Sequence, residues 1–132
     1  MIVPDASVVA LLFADVEADA RVLAARAVLA ADPVWVAPEH WHTEVLSVIR
    51  GLWLGKKLDT ERAERSVATL AQMVVMTAPT APLIPRMWEL RSSLSTYDAG
   101  YVATAEAHGC TLVTADARIG RAGVARCPVQ TV

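Results

Sequence analysis

Two short stretches, IVPDAS over residues 2–7 and LVTAD over 112–116, each run apolar residues into a carboxylate just before a helical pattern begins. Asp5 and Asp116 are those carboxylates. Two more acids, Glu44 and Asp98, sit near the starts of two later helical stretches. Each has a plain explanation when taken alone. Asp5 and Asp116 could simply cap the helices that follow them. Asp98 comes three residues after Ser95, the spacing of a capping box, and Glu44 could be a solvated helix residue. Periodicity weakens these explanations for the helical pair. At roughly 100° per residue, Glu44 falls between Trp41 and Val48 and close to Leu52, while Asp98 shares its face with Tyr101, Val102 and Ala105. Both acids therefore point towards the body of the protein, where a carboxylate must pair, protonate or meet a cation. No fixed basic residue stands at helical spacing beside Asp98, and His40 and Arg50 are the nearest candidates for Glu44.

Convergence of the four would create a new requirement. Two carboxylates about 4 Å apart repel by roughly 4 kcal/mol at an effective dielectric of about 20, so four in one cleft need a compensating charge. Oxygen ligands without a His or Cys cluster favour Mg2+ or Mn2+ over Zn2+. An acidic cluster of this kind has no nucleophile of its own, but it can lower the pKa of a bound water and stabilise charge on a leaving oxygen, which points to hydrolysis of a phosphodiester. Ser7 and Thr114, each two residues from one of these aspartates, could hydrogen-bond a carboxylate or a bound water, or be ordinary polar residues at strand ends. Arg118, Arg121 and Arg126 follow Asp116 and could meet substrate phosphates, or line a solvated helix. Asp15, Glu17, Asp19, Asp59, Glu61 and Glu64 lie in polar runs and are assigned to solvent.

Elements that would position these acids alternate along the chain. A strand over residues 2–5 leads into an Ala-rich helical stretch over 6–31 that is broken near 14–19. Next come a strand over 34–37, a helix over 39–54 opened by Pro38 and ended by Gly55, and a helix from the N-cap Asp59 to about 72. Residues 73–76, MVVM, read as a strand and 81–94 as a helix. Ser95 opens a helix that ends at Gly109, followed by a strand over 111–115, a short helix after Asp116 and a final strand near 128–132. Strands separated by helices of this length require crossovers. The expected class is therefore α/β, one domain over 1–132 with a mainly parallel sheet of about five strands covered on both faces. Pro4 lacks a ladder donor and is expected where pairing of the first strand ends. In such sheets ligands gather outside the carboxyl ends of the strands, and Asp5 and Asp116 belong to those ends.

Composition bounds the rest. The 132 residues suit one domain of ordinary size. Two cysteines without a CxxC spacing, and no basic segment before the first apolar run, point to reduced thiols in the cytoplasm. Residues 66–85 carry no charge, but Pro79, Pro82 and Pro85 among polar residues argue against a membrane span. With 12 basic and 14 acidic residues the net charge is −2; setting aside the four acids above leaves +2, so charge does not exclude a nucleic acid. A hydrophobic content of 55% implies that some apolar surface meets another chain.

The ordered set IVPDAS, PEHWHTEVLSVIR and STYDAGYVATAEAHGCTLVTADARI resembles the PIN-domain nucleases, and among them the VapC-type toxins of type II toxin–antitoxin systems. YDAGYVATAEAHGCTLVTAD is its specific part. The resemblance implies that Asp5, Glu44, Asp98 and Asp116 form the acidic quartet of an endoribonuclease, with Mg2+ or Mn2+ as cofactor and RNA, such as tRNA, as substrate. It also implies a homodimer neutralised by a cognate VapB-like antitoxin whose C-terminal arm obstructs the acidic pocket. In one departure, Ser47 stands in the Glu44 helix where the family often has Asn or a similar polar residue. A haloacid-dehalogenase-like phosphatase would need a second acid at Ser7, and a phosphoacceptor receiver would need a lysine on a late strand, whereas the only lysines are Lys56 and Lys57. The remaining rivals are a PIN-like module that binds RNA or protein without cutting it, and a housekeeping RNA-processing nuclease.

Overall fold

The structure is a computed structural model describing residues 1–132. In chain order the elements are β1 (Ile2–Pro4), α1 (Ala6–Ala10), α2 (Arg21–Ala31), β2 (Val36–Pro38), α3 (Trp41–Leu54), α4 (Thr60–Gln72) and β3 (Met76–Ala78). A 3-10 turn over Ala81–Leu83 then runs into α5 (Ile84–Glu89), followed by α6 (Thr96–His108), β4 (Thr111–Thr114), α7 (Ala117–Ala122) and β5 (Val129–Thr131). All strand pairings are parallel: β1 with β4, β4 with β5, and β2 with β3. A bridge between Ile2 and Trp35, with the Ile2 amide donating to the Val34 carbonyl, joins the two ladders into the order β3-β2-β1-β4-β5. The class is α/β, as the alternation of elements required.

That order reverses between β1 and β4. From β1 the chain steps outward to β2 and β3, then returns to the other side of β1 for β4 and β5. Because parallel crossovers are right-handed, α1 to α4 cover one face and α5 to α7 the other. The carboxyl ends of β1 and β4 thus border the crevice where such sheets bind ligands.

Burial follows from the pattern. Val3, Val36, Leu112 and Val113 of the strands are almost fully buried, as are Trp41, Val45 and Ile49 of α3, which packs against α1 and α4. Helix α6 is buried continuously from Ala99 to Ala105 and packs on β1, β2 and β4, while Gly100 admits the His40 ring close to its backbone. Pro4 stands at the last paired position of β1, opposite Val113, where its missing N–H breaks no later pairing. Its carbonyl accepts a 2.9 Å bond from the indole N–H of the wholly buried Trp41, tying α3 to the end of β1. Trp41→Phe removes that donor from a dry site, and urea unfolding is expected to show a loss of about 1–3 kcal/mol.

Several expected boundaries are corrected. Pro38 closes β2 and does not open α3, which starts at Trp41. The strand expected over 73–76 is β3 at Met76–Ala78: pairing with β2 begins only at Val36 opposite Met76, and Val74 is 95% exposed. An apolar run does not say which of its members finds a partner strand. The helix expected over 81–94 is a 3-10 turn plus α5, which ends at Glu89, with Pro85 in its first turn. The first helix stops at Ala10, where the amides of Leu11 to Ala14 switch to carbonyls three residues back. Helix α6 does end as expected, with Gly109 in the left-handed conformation (φ 61°) that glycine adopts without strain. No helix is long and apolar enough to cross a membrane.

Candidate active site

Asp5 follows β1 directly and is 3% exposed. One carboxylate oxygen, Oδ1, caps α1 by accepting from the Val8 amide at 3.0 Å and also accepts from the Ser7 hydroxyl at 2.6 Å. The other, Oδ2, accepts from the Thr114 hydroxyl at the end of β4. The two hydroxyls lie 3.3 Å apart; Ser7 Oγ takes the Ala115 amide and Thr114 Oγ1 the Asp116 amide, each at 2.9 Å. Neighbouring strand ends are thus locked together through Asp5. Capping is real but does not explain the burial, because no basic side chain pairs with this charge. Burial raises the Asp5 pKa above the ordinary range against the opposing effect of its hydrogen bonds, and the Glu44 charge raises it further.

Glu44 lies in the first turn of α3, one turn after His40, and is half-buried. Its Oε2 accepts a 2.5 Å bond from the Tyr101 hydroxyl on α6, and His40 Nε2 stands 3.8 Å from the same oxygen. Burial raises the Glu44 pKa, Tyr101 opposes this, and the nearby Asp98 charge adds to the rise. Burial together with the Glu44 contact pushes the Tyr101 phenol far upward, so it remains a proton donor. Burial lowers the His40 pKa, against the Tyr97 carbonyl and the Asp98 charge.

Asp98 is in the first turn of α6, where its amide donates to Ser95 Oγ at 3.1 Å. Its carboxylate makes no return bond to Ser95, which leaves the capping box half-made and the acid available. Asp116 caps α7 through the Arg118 amide and is gripped by the Arg118 guanidinium, with Nε 2.9 Å from Oδ2, and that bond above all holds the Asp116 pKa below the usual range. Arg118 also feels the Asp98 charge.

The four acids therefore occupy one end of the sheet and form an electrostatic chain: Glu44 acts on Asp5, Asp98 on Glu44, and Arg118 links Asp98 to Asp116. They do not close into a cage, since no three His, Cys, Asp or Glu side chains stand close enough together to hold one ion. Each carboxylate but that of Asp98 instead has its own donors: Ser7 and Thr114 for Asp5, Tyr101 for Glu44, Arg118 for Asp116. An all-oxygen set in which two members have burial-raised pKa values and no lysine or arginine partner has the donor chemistry that suits a hard divalent ion, with Asp5, Glu44, Asp98 and Asp116 as the residues that would hold it.

Ser7 sits where its spacing put it, on Asp5, while Thr114, two residues before Asp116, accepts from the Asp116 amide but donates across the sheet to Asp5. Arg118 lies at the mouth, on Asp116. Arg126 is elsewhere, its amide on Glu106 and its guanidinium near Glu89. Sequence reasoning missed Tyr101 as the partner of Glu44, a pairing across 57 residues that no local periodicity shows. Its one signal was a phenol on the same face as Asp98. Thr114→Val keeps the shape of the side chain but strips Oδ2 of Asp5 of its donor and the Asp116 amide of its acceptor. Such supporting contacts carry about 10- to 100-fold in activity or cation affinity, and a loss of that size is expected in a cleavage assay.

An α/β domain whose acids gather at the switch point of a parallel sheet defines the class. Residues 2–125 match the PIN domain family, and the chain belongs to it. Its relatives include the VapC ribonuclease Mb0985 of Mycobacterium bovis and ribonuclease VapC9 of Mycobacterium tuberculosis. Each is 39% identical over 108 residues, covering 82% of this chain and 84% of the relative. Among solved structures, Mycobacterium tuberculosis VapC20, a Sarcin-Ricin loop cleaving toxin, superposes with a TM-score of 0.69 at 24% identity over 93% of this chain and 95% of that one. FitAcB from Neisseria gonorrhoeae gives 0.62 at 21% identity over 98% and 96%; these two matches speak to the fold. The resemblance to VapC-type toxins read in the sequence is borne out.

Proposed function

We propose that the protein is a Mg2+- or Mn2+-dependent endoribonuclease, the toxin of a VapBC-type toxin–antitoxin pair, that hydrolyses phosphodiester bonds of a structured RNA such as tRNA. One observation carries this reading: Asp5 is a buried carboxylate with three hydrogen-bond donors and no basic side chain beside it, at the sheet's switch point, with Glu44 acting on it. When bound, a divalent ion supplies Lewis acidity for attack on a phosphodiester and charge for its oxygens. The chain's own groups do the remaining work. Ser7, Thr114 and the Val8 amide fix the orientation of Asp5, and Tyr101 fixes that of Glu44. Arg118, whose side chain is 79% exposed, can exchange Asp116 for a substrate phosphate at the mouth. Relatives named as ribonucleases and a neighbour named as cleaving the Sarcin-Ricin loop support RNA as the substrate class.

An apolar groove between α3 and α4, about 450 Å³ and lined by Leu46, Ile49, Trp53, Ala63 and Val67, supports docking of an antitoxin segment. Purified protein is expected to cut tRNA only with Mg2+ or Mn2+, with cut sites located by sequencing new 5′ ends. Equal cutting in excess EDTA overturns the metal-dependent reading, and retention of RNA without cutting favours a binding module. Expression is expected to arrest growth, and co-expression of the neighbouring small gene to relieve it; indifference to expression points to a housekeeping nuclease.

A further inference from the structure

Helix α1 stops at Ala10, and the chain runs through residues 11–20 before α2 begins. Between this loop and the second half of α3 lies a cavity of about 560 Å³, with Leu11, Ala14, Val48 and Leu52 among its apolar walls and Lys57 beside them. It adjoins the acidic site, because Ser7, whose hydroxyl bonds Asp5, and Ala115, the neighbour of Asp116, both line it. Two arginines pin the loop that forms its outer wall. Arg21 donates to Asp19 at 2.7 Å and to the Ala115 carbonyl at 3.0 Å, and Arg62 pairs with Asp15 and donates to the Phe13 carbonyl at 3.3 Å. A wall fixed in this way loses little freedom when something enters. Both lining acids, Asp15 and Asp19, are thereby spent on arginines. Lys57, exposed in the turn after α3, lines the same cavity and has no carboxylate partner. The cavity shares no residue with the groove between α3 and α4.

We propose that this cavity is a base-binding subsite: it takes the base of a nucleotide adjoining the phosphodiester at the acids, while Lys57 meets a backbone phosphate beside it. This assignment rests on the reading of the acidic site as one that acts on RNA. When a substrate phosphate lies at the acids, no part of its chain is nearer to Ser7 than the sugars and bases on either side. A base presents two apolar faces and a polar edge, which suits apolar walls carrying a few polar groups. Arg21 spends three of its five N–H donors on Asp19 and Ala115, which leaves two for the edge of a base. A lysine ammonium meets a phosphate as a point charge, without fixed geometry. The apolar hollow and the unpaired cation thus address the two halves of one nucleotide. Entry requires that nucleotide to be unpaired, since a base within a duplex is stacked and hydrogen-bonded. A segment of antitoxin is the competing occupant, and the α3–α4 groove already offers it a separate apolar surface.

The test uses the full chain, Mn2+ and single-stranded RNAs carrying 2-aminopurine at successive positions, with stopped-flow fluorescence reading binding before cutting. In the wild type the fluorescence is expected to change at one position beside the cut, where that base leaves the stack. Lys57→Ala is expected to weaken binding about threefold to tenfold and to lower the slope of log affinity against log salt by about 0.7. Lys56→Ala removes the same charge from a residue outside the cavity and is the control. Ala18→Leu narrows the cavity from an exposed wall position. It is expected to abolish the fluorescence change and to lower cutting of a purine relative to a pyrimidine at that position about tenfold, other positions keeping their preferences. Two results overturn the subsite and leave the ribonuclease reading intact: cutting with signal and base preference unchanged in Ala18→Leu, or equal weakening by Lys56→Ala and Lys57→Ala. Loss of antitoxin binding in Ala18→Leu with RNA binding unchanged gives the cavity to the antitoxin and overturns the subsite too. A wild-type chain that does not bind RNA overturns both readings. Binding without cutting overturns the hydrolysis alone, and the fluorescence arms still decide the subsite. Should Ala18→Leu not fold in a thermal scan, the lysine pair and the wild-type signal decide.

Discussion

Asp5→Asn is expected to abolish RNA cleavage while leaving the protein folded and at least as heat-stable as the wild type at neutral pH. The asparagine oxygen can take over both bonds now made to Oδ1, from the Val8 amide and the Ser7 hydroxyl. The amide N–H can donate to Thr114 Oγ1, whose hydroxyl rotates towards Ser7, 3.3 Å away. Packing and hydrogen bonding survive, so what is removed is a charge that burial already disfavours. Chemistry loses more. An ion's stabilisation of transition-state charge amounts to several kcal/mol, and about 4 kcal/mol corresponds to roughly 1,000-fold in rate. The measurement pairs single-turnover cleavage with a thermal scan of the same preparation. Asp59→Asn is the control, since Asp59 caps α4 through the Arg62 amide in the same manner but is exposed and remote from the other acids. It should cost a few tenths of a kcal/mol at most and leave cleavage unchanged. Full activity in Asp5→Asn would mean that capping is all Asp5 does, and a collapse of the melting temperature would mean that the lost activity reports unfolding.

What could be read in advance divides along physical lines. Signals contained within a turn or two of chain were legible: Asp59 and Ser95 as N-caps, Gly109 as a left-handed terminator, Pro4 at the end of its strand, and Ser7 on the Asp5 carboxylate, whereas the Thr114 contact to Asp5 spans 109 residues. Element order followed too, because long helices between short apolar runs permit few sheet topologies. Strand limits did not follow. Val74 and Met76 are both apolar, yet only Met76 has a partner on β2, and pairing is a property of two segments. The same reasoning applies to the site. Periodicity aimed Glu44 and Asp98 inward and topology brought the four acids to one end, but the contacts that set their orientation run between distant elements. Tyr101 reaches Glu44 from α6, and Gly100 presses on His40 from the same helix. The Arg118 grip on Asp116 is local, only two residues apart, yet whether that guanidinium faces an acid or a phosphate depends on what else fills the cleft.

Without divalent ions the protein is expected to be less stable at pH 7.5 than at pH 5, and Mn2+ is expected to reverse the order. Asp5 and Glu44 both have pKa values raised by burial in the folded chain. For a carboxyl whose folded pKa lies above its unfolded one, the folded state binds the extra proton, so stability falls as pH rises from the unfolded value, about 4, through the folded value. Asp116 has the opposite sign: its pKa is lowered by Arg118, so its contribution is present above the unfolded value and is lost only as pH falls below about 4. The two carboxylate windows do not overlap; His40, whose pKa burial lowers, opposes the fall as pH rises through its unfolded value of about 6.5, so the part of the slope that belongs to Asp5 is the part that flattens in Asp5→Asn. A cation binds the ionised carboxylates and stabilises the folded state by about 2.7 kcal/mol when present at 100 times its dissociation constant. The gain should be larger at pH 7.5 than at pH 5, because the proton competes for the same oxygens as pH falls. Thermal scans with EDTA and with Mn2+ at both pH values measure it directly. In Asp5→Asn the metal-free slope should flatten and the Mn2+ increment shrink together, because one carboxylate produces both. A Mn2+ increment that is the same at the two pH values, or that survives intact in Asp5→Asn, would place the ion away from these acids and remove the physical basis for a cation-filled cleft.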